Sequence, residues 1–222
     1  MSDKSIFIFG ASRGLGLGLA KEFLARGWNV VASERSTSDD LHALECEALR
    51  IVTADVTDPA SYADLGFGNG ELDALFVNAG ISGARHQSSE QATADEVAEV
   101  MMTNAFGPVR AAKTLLPAVK DGGTLGFMTS LMGSIADSSG GYELYRSSKA
   151  ALNMLAKGVA EQDAGPRNIA TLALHPGWVK TDMGGPQAPL TIEESVSGLA
   201  DVIENASGGF RYADYKGEDI PF

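Results

Sequence analysis

Residues 10–18 read GASRGLGLG, and this glycine-rich turn lies between an apolar run and an amphipathic stripe. The run, Ser5–Phe9 (SIFIF), is β-branched and aromatic and fits a buried strand. Leu15, Leu19 and Phe23 then recur every four residues up to Gly27, a helical stripe with a glycine stop. In a strand–turn–helix of this kind, Gly10, Gly14 and Gly16 have three tasks. One permits the tight turn, one lets the backbone approach a pyrophosphate, and one lets helix and strand pack closely. The anion would face free N–H groups at the positive end of the helix. Glycines also mark ordinary turns, so it is the position between strand and helix that points to dinucleotide binding. Ser12, Arg13 and Leu15 lie in the same turn and are assigned to the same site.

The rest of the chain repeats the alternation. Strands are expected at 28–33, 50–53, Leu72–Val77, 124–129, 168–174 and 210–212. Leu41, Leu44 and Leu49 suggest a short helix, and a polar loop covers 82–91. From Asp95 a long helix carries Val97, Met101, Ala105, Val109 and Ala112 on one face, with a kink expected at Pro108. Another carries Leu144, Ser148, Leu152, Leu155 and Val159 and closes near Gly165 and Pro166; a last one covers Ile192–Glu204. Alternating strands and helices predict an α/β fold, a doubly wound parallel sheet of about seven strands in one Rossmann-type domain spanning residues 1–222.

Composition narrows the function. A formal net charge of −12 repels a phosphate backbone and argues against nucleic-acid binding. Cys46 is the only cysteine, so no intrachain disulfide forms. The opening apolar run is too short for a signal peptide, and no stretch approaches the ~20 apolar residues of a membrane span. A cytoplasmic protein is expected. His42, His86 and His175 are dispersed without ligand spacing, so no metal site is assigned.

Two pairs carry chemistry. At the end of the second strand Glu34 precedes Arg35. A carboxylate there would grip the ribose hydroxyls of NAD, whereas an arginine would accept the 2′-phosphate of NADP. Arg13 adds positive charge on the same side, which favours NADP(H) with NAD(H) as the alternative. The second pair, Tyr145 and Lys149, is four residues apart on one helical face. An ammonium ~6 Å from a phenol at an effective dielectric of ~20 is worth roughly 3 kcal/mol, about two pKa units. The expected phenol pKa is therefore about 8, suited to passing a proton beside a hydride carrier.

With the motifs GASRGLG, ADVTD, NAG, TNAFGP, TSLMG, YRSSK and HPGWVKT in order, essentially the whole chain resembles the short-chain dehydrogenase/reductase family. The segments HPGWVKTDMGG, GSIAD and YADYKGEDIPF look most like its C-factor (C-signal-like) subgroup. The resemblance implies a reversible hydride transfer between a nicotinamide cofactor and a small carbonyl or alcohol substrate. Tyr145 would be the general acid/base, with Lys149 lowering its pKa and holding the nicotinamide ribose. Ser130 would polarise the substrate oxygen, and Asn104 would hold a water in a proton relay. Asp55 and Val56 would contact adenine, and Asn78, Ala79 and Gly80 would wall the adenosine. Pro176, Gly177, Val179 and Thr181 would embrace the nicotinamide. A homodimer or homotetramer is implied, with the helices from Asp95 and Leu144 packing across subunits. The C-signal likeness also raises an alternative, a cofactor-binding regulator with incidental catalysis.

Departures from the family pattern are visible. Phe9 stands where a threonine is usual, and Val77 replaces the first Asn of Asn-Asn-Ala-Gly. Ser130 lies two residues further from Tyr145 than expected, which leaves Ser134 as a rival. The segment from 181 to 191 is short for a substrate lid, so an open or shallow cleft is expected, closed by the C-terminal tail or a neighbouring subunit.

Overall fold

The computed structural model describes residues 4–44 and 46–222. The strands are β1 (Ser5–Phe9), β2 (Asn29–Glu34), β3 (Leu49–Thr53), β4 (Leu72–Val77), β5 (Val119–Met128), β6 (Ala170–His175) and β7 (Phe210–Asp214). They form one sheet in the order β3-β2-β1-β4-β5-β6-β7 with every neighbouring pair parallel. The chain builds outward from β1 to β3, then crosses back and builds outward from β4 to β7. That reversal opens a crevice beyond the carboxyl ends of β1 and β4, where ligands of such sheets bind.

The central strands are buried on both faces, and their alternation divides the core in two. Phe7, Phe9, Leu75, Val77, Leu125 and Phe127 point to one side, under the helices α4 (Gly107–Leu115) and α5 (Glu143–Val159). Ile6, Ile8, Ala74, Phe76, Leu172 and Leu174 point to the other, under α1 (Gly14–Ala25) and α6 (Ile192–Glu204).

Several elements differ from the sequence expectation. The helix around Leu41 is the single turn α2 (Asp39–His42), and Leu49 already belongs to β3. The long helix is α3 (Ala94–Met101), a wide π-type turn over Met102–Phe106, and then α4. The irregularity therefore precedes Pro108, which sits in the first turn of α4 where its missing N–H costs little. β5 begins five residues early and absorbs the extra length by a register shift against β4.

Residues 179–190 do not form an extended lid. They close on themselves through a bridge between Val179 and Leu190. The C-terminal tail folds back along β7, with Ala213 bridged to Asp219 and the Ile220 N–H donating to the Tyr212 carbonyl at 2.8 Å. It thereby covers the otherwise open edge of the sheet.

Candidate active site

The glycine-rich turn is fixed by its neighbours. The Gly10 N–H donates to Ser33 Oγ at 2.8 Å and the Ala11 N–H to the Ser33 carbonyl at 2.7 Å. Asn78 Nδ2 donates to the Gly10 carbonyl at 2.7 Å, while the Asn78 and Ala79 N–H groups both donate to the Phe9 carbonyl. Ser33 thus supplies a loop bond that Phe9 cannot, and nothing in the sequence pattern marked it. Gly10 and Gly14 take left-handed φ values of 89° and 55°. A Cβ at Gly16 would lie 2.0 Å from the Gly10 carbonyl oxygen, so Gly16 provides the close packing. Arg13, the N-cap of α1, makes no side-chain cap bond, leaving the first-turn N–H groups facing the crevice. A Cβ-free cradle with uncapped N–H donors fits a dinucleotide pyrophosphate.

At the ribose end the structure alters the expected picture of Glu34. Its carboxylate is buried, accepting from the Ser38 N–H at 2.8 Å and lying 2.9 Å from His42 Nε2. Both oxygens are committed to α2, so Glu34 is neither a solvated surface group nor free to grip a ribose. Ser38 Oγ also donates to the Ser12 carbonyl at 2.6 Å. Arg35 is exposed, 4.0 Å from Asp55, and Arg13 lies 3.1 Å from Asp182. Asp55 accepts from the Thr57 N–H and hydroxyl, and Val56 is buried, its side chain in the core and its carbonyl packed against Gly107. Across the crevice, Gly14 faces the Thr181 methyl, and the Thr181 hydroxyl accepts from the Gly184 N–H. The Pro176 carbonyl accepts from Ser195, Gly177 takes φ 82°, and Val179 is buried. Leu15 is half-buried in the first turn of α1.

The catalytic candidates converge from three elements. Ser130 follows β5, Tyr145 and Lys149 lie on α5, and Asn104 sits in the π-type turn. The Ser130 side chain lies close enough to the Tyr145 phenol to favour its ionised form, and Ser130 Oγ accepts from the Met132 N–H at 3.2 Å. Lys149 is buried; its ammonium donates to the Met128 carbonyl at 2.9 Å and lies 5.6 Å from the centre of the Tyr145 ring. Gly80 closes the group from the cofactor side, since a Cβ there would lie 3.3 Å from Asn104 and 3.4 Å from Lys149. Ser134, the rival serine, donates instead to the Pro221 carbonyl at 2.6 Å.

The expected phenol pKa of about 8 is not found. Burial pushes Tyr145 up to about 12, with Ser130 pulling the other way. Burial also brings Lys149 down to about 8. The ammonium sits beside the ring and bonds to a carbonyl, so removal from water outweighs its field at the hydroxyl. Burial likewise takes His175 down to about 4 and keeps it neutral, while Asp214 opposes the shift.

Asn104 also differs from the simplest reading. Its side chain is fully used: Oδ1 accepts from the Ile81 N–H at 2.8 Å, and Nδ2 donates to the Ile81 carbonyl at 2.8 Å and to Ser148 Oγ at 3.0 Å. What remains is its backbone carbonyl, whose α-helical donor would be the N–H of residue 108, a proline.

Gln87, from the polar loop, was not foreseen. The start of α5 has no side-chain cap of its own, since Tyr142 is left-handed there. Gln87 supplies the cap, its carbonyl accepting from the Glu143 N–H and its Oε1 from the Tyr145 N–H, both at 3.0 Å. Its Nε2 donates to the Ser82 and Ala84 carbonyls at 2.7 Å each.

This geometry can be set beside known proteins. The sequence profile of the family described as short chain dehydrogenase matches residues 4–189. The chain belongs to the short-chain dehydrogenase/reductase family. This dehydrogenase is 40% identical over 158 residues to the C-signal of Myxococcus xanthus, an alignment covering 69% of this chain and 94% of that one. It is 30% identical over 221 residues to a Rhodococcus 1-hydroxy-2-glutathionyl-2-methyl-3-butene dehydrogenase, covering 95% and 96%. A carbonyl reductase of Pseudomonas aeruginosa, solved in complex with NADP, is similar with a TM-score of 0.91 at 40% identity over 100% of both chains. The protein is an NAD(P)-dependent oxidoreductase acting between carbonyl and alcohol groups.

Proposed function

We propose that this dehydrogenase reduces a small-molecule carbonyl with NADPH in preference to NADH, using Tyr145 as its proton donor. The observation that carries the reading is the convergence of Ser130 and the buried Lys149 ammonium on the Tyr145 phenol, the ammonium lying 5.6 Å from the centre of the ring. When bound, the nicotinamide supplies the hydride that adds to the carbonyl carbon. Ser130 donates a hydrogen bond to the substrate oxygen, and Tyr145 gives that oxygen its proton. Lys149 stabilises the phenolate left behind and gives it a proton, and a water on the Asn104 carbonyl replaces that proton on Lys149 from solvent.

The backbone of Gly10, Ser12, Gly14, Leu15 and Gly16 would hold the pyrophosphate, with Asp55 and Val56 at the adenine and Asn78, Ala79 and Gly80 along the adenosine. Pro176, Gly177, Val179 and Thr181 would shape the nicotinamide pocket. NADP(H) is favoured because Glu34 is occupied by Ser38 and His42 while Arg13 and Arg35 are exposed and reach the crevice. The NADP bound to the Pseudomonas relative supports the same choice. A homodimer or homotetramer is supported by exposed Phe106 and Met154 beside α4 and on α5, and residues 1–222 would act as one domain. The regulator alternative has no use for a phenol beside a serine and backed by a buried lysine.

Separate titrations with NADPH and NADH, followed by a panel of aldehydes and ketones, test this. Tighter NADPH binding and turnover of at least one carbonyl are expected. Stoichiometric NADPH binding with no turnover of any carbonyl or alcohol would overturn the assignment.

A further inference from the structure

Ser130 is held by residues that no catalytic role above requires. Its backbone carbonyl accepts from the Tyr212 hydroxyl at 2.6 Å, deep in the protein and 82 residues away in sequence. Tyr212 belongs to β7, two strands from β5, in register with Ala173 on the strand between them. A methyl side chain at 173 leaves room for the ring to reach across β6; a larger residue would stand in its way. The same hydroxyl lies near Asn153, which opposes the upward push of burial on its pKa. Asn153 is buried on α5 one turn beyond Lys149, on the face of Tyr145 and Lys149. It accepts from Thr129 Oγ1 at 2.7 Å and donates to the Gly133 carbonyl at 3.4 Å. Thr129, the Ser130 carbonyl and Gly133 are thus tied to one buried amide or one buried phenol.

The far end of the same loop is tied too. Ser134 donates to the Pro221 carbonyl, and the Ala136 N–H donates to the Phe222 carbonyl at 3.0 Å. Phe222 stacks on Phe210 and leans on the Tyr212 ring.

We propose that Tyr212 and Asn153 are positioning residues for Ser130, fixing its hydroxyl between the Tyr145 phenol and the substrate oxygen. The inference rests on the role given to Ser130 above. Positioning through short, buried bonds matters because a misplacement of ~1 Å at a reacting group can cost on the order of a hundredfold in rate. Buried hydrogen-bond networks of this kind also lock one conformation when every member is satisfied.

The test is a double-mutant cycle on carbonyl reduction, with rates expressed per NADPH-binding site so that unfolded protein is not counted. Tyr212→Phe keeps the ring that packs on Phe222 and removes only the hydroxyl. It is expected to lower kcat about tenfold, the scale of one lost buried hydrogen bond, with NADPH affinity within twofold of the parent. Asn153→Ala should do the same. In a Ser130→Ala background neither substitution should reduce kcat further, because the residue they position is gone. If the effects of Ser130→Ala and Tyr212→Phe multiply, or if Tyr212→Phe and Asn153→Ala keep the parent kcat, this inference is overturned while the proposed reaction stands. A Ser130→Ala enzyme with parent turnover removes the premise and overturns both.

Discussion

The two halves of the crevice are built differently. On the glycine-rich side, the turn at 10–16 is made of backbone, shaped by glycines and steadied by Ser33 and Asn78. Around Tyr145 the architecture is made of side chains that reach across long stretches of sequence: Gln87 to α5, Asn104 to Ile81 and Ser148, Lys149 to Met128, Tyr212 to Ser130. The first half should therefore fail when atoms are added, and the second when atoms are removed.

Gly16→Val tests the first statement most severely. Its Cβ would meet the Gly10 carbonyl oxygen and Asn78. Overpacking against backbone costs about 3 kcal/mol, so NADPH affinity measured by calorimetry should fall on the order of a hundredfold. A smaller loss is expected from replacing both Arg13 and Arg35 with alanine. Charge-assisted contacts are worth roughly 1.5–3 kcal/mol when sheltered and less when exposed, so NADPH affinity should fall about tenfold while NADH affinity holds. Equal losses for both nucleotides would show that these arginines do not read the 2′-phosphate.

On the catalytic side, pH separates the two titrating groups. Tyr145, raised to about 12, keeps its proton through the neutral range, whereas Lys149, brought down to about 8, loses its charge above that value. Carbonyl reduction should consequently be level below pH 8, with kcat/KM falling as pH rises through about 8. A profile that stays level to pH 10 would remove the lysine from the mechanism. The smallest effect is expected of Gln87→Ala, which deletes a helix cap worth about 1 kcal/mol. It should lower kcat several-fold and leave NADPH binding unchanged, because it loosens the helix that carries Tyr145 and not the turn that carries the nucleotide.

The same contrast explains what could be read from the sequence. The parallel sheet of about seven strands was legible from alternation, since strands buried on both faces are apolar throughout and helices carry a stripe. Gly10, Gly14 and Gly16 were legible because only glycine satisfies their geometry, and residue type then reports conformation directly. Tyr145 and Lys149 were legible because helical spacing sets their shared face. The direction of the Tyr145 pKa was not, because spacing alone does not report burial, and an effective dielectric of ~20 overstates the solvation of this site. Glu34 could have faced the ribose or α2, and only Ser38 and His42 decide between them. Ser33, Gln87 and Tyr212 act through contacts 23, 58 and 82 residues away, which no local pattern records. Asn153 was the exception, visible in principle as the third member of the face of Tyr145 and Lys149.

The central claim is that Tyr145 hands the proton to the substrate oxygen. Single-turnover reduction of an accepted carbonyl by Tyr145→Phe, mixed with saturating NADPH, tests it most directly. Parent-like NADPH binding is expected, with a chemical step slowed by about a thousandfold, within the range of a lost general acid. A Tyr145→Phe enzyme that reduces the carbonyl at the parent rate would contradict it.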